Sequence, residues 1–165
     1  MPKPAQVTSP SEREVRVTRT FNAPRQLVYD AHTKPELIKK WQGYPGWEMP
    51  VCEMDVRVGG KYRWQWKNPE DGMQFGFFGT FTEVNAPSKF VHDQYFDAGN
   101  FEGTMPTGDP CIVSVELSEQ NGVTTVVCNL TFVSKEACEG AVATGMTDGM
   151  EVSYARLDGV FGSRQ

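Results

Sequence analysis

The chain has 165 residues, 39 % of them hydrophobic and 22 % charged, the size and balance of one globular core. Sixteen basic against twenty-one acidic side chains leave a formal charge of −5, so nucleic acid is not an expected partner. No apolar run approaches the roughly 20 residues that cross a bilayer and the polar start lacks a signal-peptide pattern, so no membrane association is expected and the expected location is cytoplasmic.

Met1 to Glu12 is polar, carries prolines and offers nothing to bury, which reads as a flexible arm ahead of a single domain over residues 13–165. Glu14 to Phe21 alternates Val15, Val17 and Phe21 with charges, the pattern of a half-buried strand. Two short helices follow, opened by Pro24 and Pro35, where a missing N–H costs nothing. Leu27, Val28 and Ala31 share one helical face, as do Leu37, Ile38 and Trp41. About two turns each, neither helix persists alone.

From Met49 the period is two. Strands are predicted over Met49–Val58, Lys61–Asn68 and Met73–Asn85, with Gly59-Gly60 and Asn68-Pro69-Glu70-Asp71-Gly72 as turns. A four-residue loop pairs Trp66 with Phe75, Trp64 with Phe77 and Tyr62 with Gly79, setting rings opposite rings. A slip of one residue would send the whole returning row to the other face. Further strands are predicted at Lys89–Asp97, Cys111–Glu119 and Val123–Val133, the last two joined by Asn121-Gly122, a strong hairpin signal. Between Asp97 and Pro110 runs an irregular, glycine-rich loop.

After Ser134, a helix-capping residue, the period returns to 3.6. Val142, Met146, Met150, Tyr154, Leu157 and Phe161 form an apolar stripe predicted as one helix of about 25 residues. Its glycines each cost roughly 1 kcal/mol relative to alanine, which suggests a close neighbour or a space left open. The order gives an α+β fold: a curved antiparallel sheet wrapped round a long C-terminal helix, with two short helices after the first strand.

Four segments in this order, Arg19–Gly43, Gly46–Trp64, Gly79–Val91 and Thr144–Val160, resemble START-like proteins of the SRPBCC superfamily. Within it they are similar to homologues of the activator of heat-shock protein 90 ATPase. The resemblance implies the helix-grip fold with a cavity between sheet and helix. Family members commonly use that cavity for apolar small molecules, and some relatives are cyclases or aromatase-type enzymes. The eukaryotic activator instead contacts its chaperone and relies on two domains, whereas this chain offers one.

The candidate ligand-binding residues are Tyr62, Trp64, Trp66, Phe75, Phe77 and Tyr95 on the sheet, facing Met146, Met150 and Tyr154 on the helix. Aromatic walls with adaptable methionines suit an apolar ligand. Core packing is the competing explanation for each ring. The glycine- and aromatic-rich stretch Gly43 to Trp47 and the loop from Asp97 to Pro110 are candidate lids over the mouth. His32 and His92 are expected at the surface, and His92 and Asp93, adjacent on one strand, cannot form a dyad. Catalysis would need an inward carboxylate or histidine; by parity Glu83 and Asp93 are the carboxylate candidates. Cys52, Cys111, Cys128 and Cys138 are spaced for plain reduced thiols, so neither a metal nor a cofactor is expected. The leading expectation is a binding domain for an apolar or aromatic small molecule. A chaperone-stimulating module and a cyclase- or hydrolase-type enzyme are the alternatives, and a homodimer is kept in view.

Overall fold

In a computed structural model describing residues 5–42, 46–97, 110–143 and 145–162, the period-two segments become one curved, unclosed antiparallel sheet. Its strands are β1 (Gln6–Thr8), β2 (Glu14–Phe21), β3 (Glu48–Met54), β4 (Lys61–Lys67), β5 (Gln74–Asn85), β6 (Lys89–Asp97), β7 (Cys111–Gln120) and β8 (Val123–Thr131). They lie in the order β1-β2-β8-β7-β6-β5-β4-β3. β1 falls inside the stretch that offered nothing to bury; its three side chains are exposed, and it joins by backbone pairing with β2.

The hairpins form where turn chemistry placed them. Asn121 and Gly122 both take positive φ, 54° and 77°, and bring Gln120 opposite Val123. Gly72, at φ 74°, donates its N–H to the Asn68 carbonyl, and Asn68 Oδ1 accepts the Glu70 N–H. The expected β4–β5 register follows, with Trp66 opposite Phe75, Trp64 opposite Phe77 and Tyr62 opposite Gly79.

Two helices, α1 (Arg25–Thr33) and α2 (Pro35–Trp41), close one end. Trp41 is 1 % exposed and its indole donates to the Ala31 carbonyl at 2.9 Å, locking α2 against α1. Thr124 on β8 donates to the Ala23 carbonyl at 2.7 Å, which ties the entry to α1 onto the sheet.

The C-terminal stripe is not one helix. It divides into α3 (Lys135–Ala143), capped by Ser134 Oγ accepting the Ala137 N–H, and α4 (Met146–Gly162). Gly145 between them takes φ +83°, a left-handed conformation that stops a helix and suits only glycine without strain. Two of the other glycines, Gly140 and Gly159, are exposed on the outer side and open no room for a partner.

α4 is fastened across β2 by charge. Arg19, in line with Val15, Val17 and Phe21, points inward and is 3 % exposed. Its guanidinium donates to Glu151 at 3.0 and 3.1 Å and to Asp158 at 2.8 and 2.9 Å, two carboxylates seven positions apart on one face of α4. At the other side of α4, Arg156 donates to the Lys40 and Gln42 carbonyls, covering the C-terminus of α2.

Candidate functional site

The concave face has two unlike ends. Around α1, α2 and the C-terminal half of α4 it is filled: Phe21, Trp41, Ile38, Phe81 and Leu157 are each at most 1 % exposed. Tyr154 belongs here, set edge-on to Phe21 at 5.5 Å and stacked on Trp41 at 5.8 Å. Burial holds its phenol well above the ordinary range.

Toward the β4–β5 hairpin the packing loosens. β4 directs Tyr62, Trp64 and Trp66 to the same face, and β5 adds Phe75 and Phe77. Trp66 stands 5.4 Å from Phe75 and 5.9 Å from Phe77, and Trp64 lies 6.1 Å from Trp66 and 4.9 Å from Tyr62. Trp66 and Tyr62 are buried, yet Trp64, Phe75 and Phe77 stay half-exposed. Met146 and Met150, at the start of α4, are also half-buried at the margin of the core. Six of the nine candidate residues therefore belong to the core or pack against it, with Tyr62 and Tyr154 fully buried there, while Trp66 is buried beside Phe75 and Phe77 at its edge.

Tyr62 is held in place by its hydroxyl, which donates to the Asp93 carbonyl at 3.1 Å. Gly79 permits this arrangement, since a Cβ there would lie 2.1 Å from the same carbonyl oxygen. Burial raises the Tyr62 phenol far above its usual range.

Tyr95 is the ninth candidate, and the structure places it on the opposite face. It pairs with Phe78 and stacks on that exposed ring at 5.1 Å with 9° between the planes. The inward row of β6 is the even one, which carries Phe90 and His92. His92 is thus buried rather than at the surface, packed against Tyr62 at 4.6 Å and Phe81 at 5.4 Å. His32 is buried as well, 4.9 Å from Trp41. Each imidazole has Nδ1 against a carbonyl, Asp93 at 2.8 Å and Val28 at 2.7 Å, so Nδ1 carries the proton. Burial lowers both to about 4, leaving them neutral at pH 7.

Neither carboxylate candidate enters the interior as parity suggested. A bulge between Phe81 and Glu83 shifts β5 by one residue, so Val84 turns in while Glu83 faces solvent beside Lys89 at 3.6 Å. Asp93 accepts the Thr80 N–H at 2.8 Å and so mends the ladder between β5 and β6. All four cysteines are free thiols, and burial raises Cys111 to about 11 and Cys128 to about 12, keeping both protonated.

Of the candidate lids, Gly43, Tyr44 and Pro45 and the loop across 98–109 lie outside the described residues. Trp47 packs edge-on to Phe75 at 5.5 Å, extending the aromatic wall beyond the predicted set. A separate open cleft of about 400 Å³ lies on the outside, between Ser9, Glu12 and the α3 residues Lys135, Cys138, Glu139 and Val142. No described helix is long and apolar enough to cross a membrane.

Comparison with known proteins agrees with this architecture. The sequence model of the family described as activator of Hsp90 ATPase homolog 1-like protein matches residues 22–162. No curated protein matches the chain. A solved structure from Rhodobacter sphaeroides superposes with a TM-score of 0.85 at 24 % identity, over 97 % of this chain and 99 % of that one. Protein Ms6760 from Mycobacterium smegmatis gives 0.83 at 21 % identity, over 95 % and 96 % of the two chains. A protein from Arthrobacter aurescens gives 0.81 at 24 % identity, over 96 % and 91 %. At these identities the likeness establishes the fold.

Proposed function

Because the chain belongs to the activator of Hsp90 ATPase homolog 1-like family and has its START-like fold, we propose that it binds an apolar, largely aromatic small molecule between the β4–β5 wall and the start of α4. The observation that supports this reading is the contrast between the two ends of one concave face. Trp64, Phe75, Phe77, Met146 and Met150 keep partial exposure while the opposite end is sealed. Large apolar side chains left half-covered on an inward face are apolar surface a ligand can remove from water, at roughly 25 cal/mol per Å². The test is a titration with 1-ethylnaphthalene, followed by the methionine methyl and tryptophan resonances. Saturable shifts at Met146, Met150, Trp64 and Trp66 support the site, and unsaturated or scattered shifts count against it.

A second reading rests on the outer face. Phe78 is 41 % exposed and stacked with Tyr95, and Ile112, opposite Asp93 on β7, is 43 % exposed on the same side. This apolar surface suits a chaperone partner of the kind the family description names. Stimulation of the ATPase of purified heat-shock protein 90 that is lost in Phe78→Ser would favour it; absence of stimulation at high concentration would remove it.

A further inference from the structure

We propose that the molecule held at this site carries an uncharged oxygen acceptor, a carbonyl or an ether, and that Trp64 and Trp66 are the residues that donate to it. This rests on the small-molecule reading above and specifies its chemistry.

Among the described residues, the indole N–H groups of Trp64 and Trp66 are sequestered from solvent and find no hydrogen-bond partner. An indole is a donor only, and a buried donor left unpaired costs about 1–3 kcal/mol. Trp41, at the sealed end of the same interior, shows the ordinary outcome, with its N–H on the Ala31 carbonyl at 2.9 Å. Phenylalanine would fill space without an orphan donor, and β5 uses it for the facing row at Phe75 and Phe77. Two unpaired donors therefore sit side by side, 6.1 Å between ring centroids, on the strand that forms the loosely packed wall.

The donors are neutral and their neighbours Tyr62, Phe75 and Phe77 are aromatic, so the matching acceptor is uncharged. A carboxylate would be desolvated there with no opposite charge from these rings. A carbonyl oxygen has two lone pairs and can accept from both indoles. The third unpartnered buried side-chain atom among the described residues, His32 Nε2, is an acceptor on α1 beside Trp41 and Phe90 and belongs to the other end. The N–H groups are closed over by their neighbours here, so binding requires these rings to part.

The test compares two naphthalene probes on the unaltered protein: 1-acetylnaphthalene, which has a carbonyl, and 1-ethylnaphthalene, in which a methylene replaces it and no acceptor remains. Affinities are read by calorimetry, and the indole N–H signals by ¹H–¹⁵N correlation, with Trp64→Phe and Trp66→Phe assigning the peaks. The expected result is about tenfold tighter binding of the acetyl compound, the scale of one or two good hydrogen bonds. It comes with a downfield shift of at least one of the two N–H protons and a fixed Trp41 signal. Equal, saturable affinities with unmoved N–H signals overturn the acceptor proposal and leave the pocket standing. Saturation by neither probe overturns the pocket, and this proposal with it.

Discussion

Arg19 of β2 meets Asp158 of α4 through two hydrogen bonds of 2.8 and 2.9 Å, with the guanidinium 3 % exposed. Glu151, about two turns earlier on the same face of α4, takes the rest of the fork, so one buried cation fixes where α4 crosses the sheet. Glu151 also accepts the Ala5 N–H at 2.7 Å, drawing the start of the chain into the same joint.

Arg19→Met should leave both carboxylates facing an apolar floor. Breaking a buried pair costs about 3–5 kcal/mol, and the 32 % and 24 % exposure of the two acids places this one at the lower end, about 3 kcal/mol. Urea unfolding monitored by circular dichroism reads it directly. A change below about 0.5 kcal/mol would mean the joint contributes nothing to holding α4.

Acid should unfold the protein through its histidines. Unfolded imidazoles bind a proton near the ordinary 6.5, whereas burial lowers His32 and His92 to about 4 in the fold. Between those values the unfolded chain holds more protons, so stability is full above about pH 6.5 and falls as pH drops toward 4. Each histidine withdraws about 3 kcal/mol across that window, on the order of 1.4 kcal/mol per pH unit. Glu151, lowered by its hydrogen bond to Arg19, acts in the same direction as it protonates. The urea midpoint of His92→Phe should fall less steeply from pH 6.5 to 4 than that of the unaltered protein; equal slopes would show that His92 is not the buried neutral group described here.

The helix glycines should respond with opposite signs. Gly145→Ala forces a side chain into φ +83° and should destabilise by about 1 kcal/mol, although no atom lies within 4 Å of its Cβ position. Gly159→Ala places a methyl in open space on the exposed face of α4 and should stabilise by about 0.5–1 kcal/mol. Thermal melts of the two variants shifting in the same direction would contradict the break between α3 and α4.

These residues also show what the sequence could and could not reveal. Register in the β4–β5 hairpin was legible because Asn68 to Gly72 fixes loop length and aromatics recur at period two on both strands. In β6 both rows carry rings, Phe90 on one and Tyr95 on the other, so parity alone could not tell inside from outside. The bulge after Phe81 then reversed the reading for Glu83. Arg19 lies in the inward row of β2, but its acceptors are 132 and 139 positions away, beyond any local pattern. Gly145 was one glycine among several in an apolar stripe, and only its backbone angle separates it from Gly140 and Gly159. The wall of Trp64, Trp66, Phe75 and Phe77 was visible from spacing; the unpaired state of its two indoles depends on the surrounding packing and was not.

The most direct measurement is native mass spectrometry of the protein purified from its own host without organic solvent. One small molecule per chain is predicted, displaced by added 1-acetylnaphthalene and absent from Phe77→Arg, which sets a charge into the aromatic wall. A bare chain mass both as purified and after incubation with excess 1-acetylnaphthalene would contradict the binding of an apolar molecule at this face.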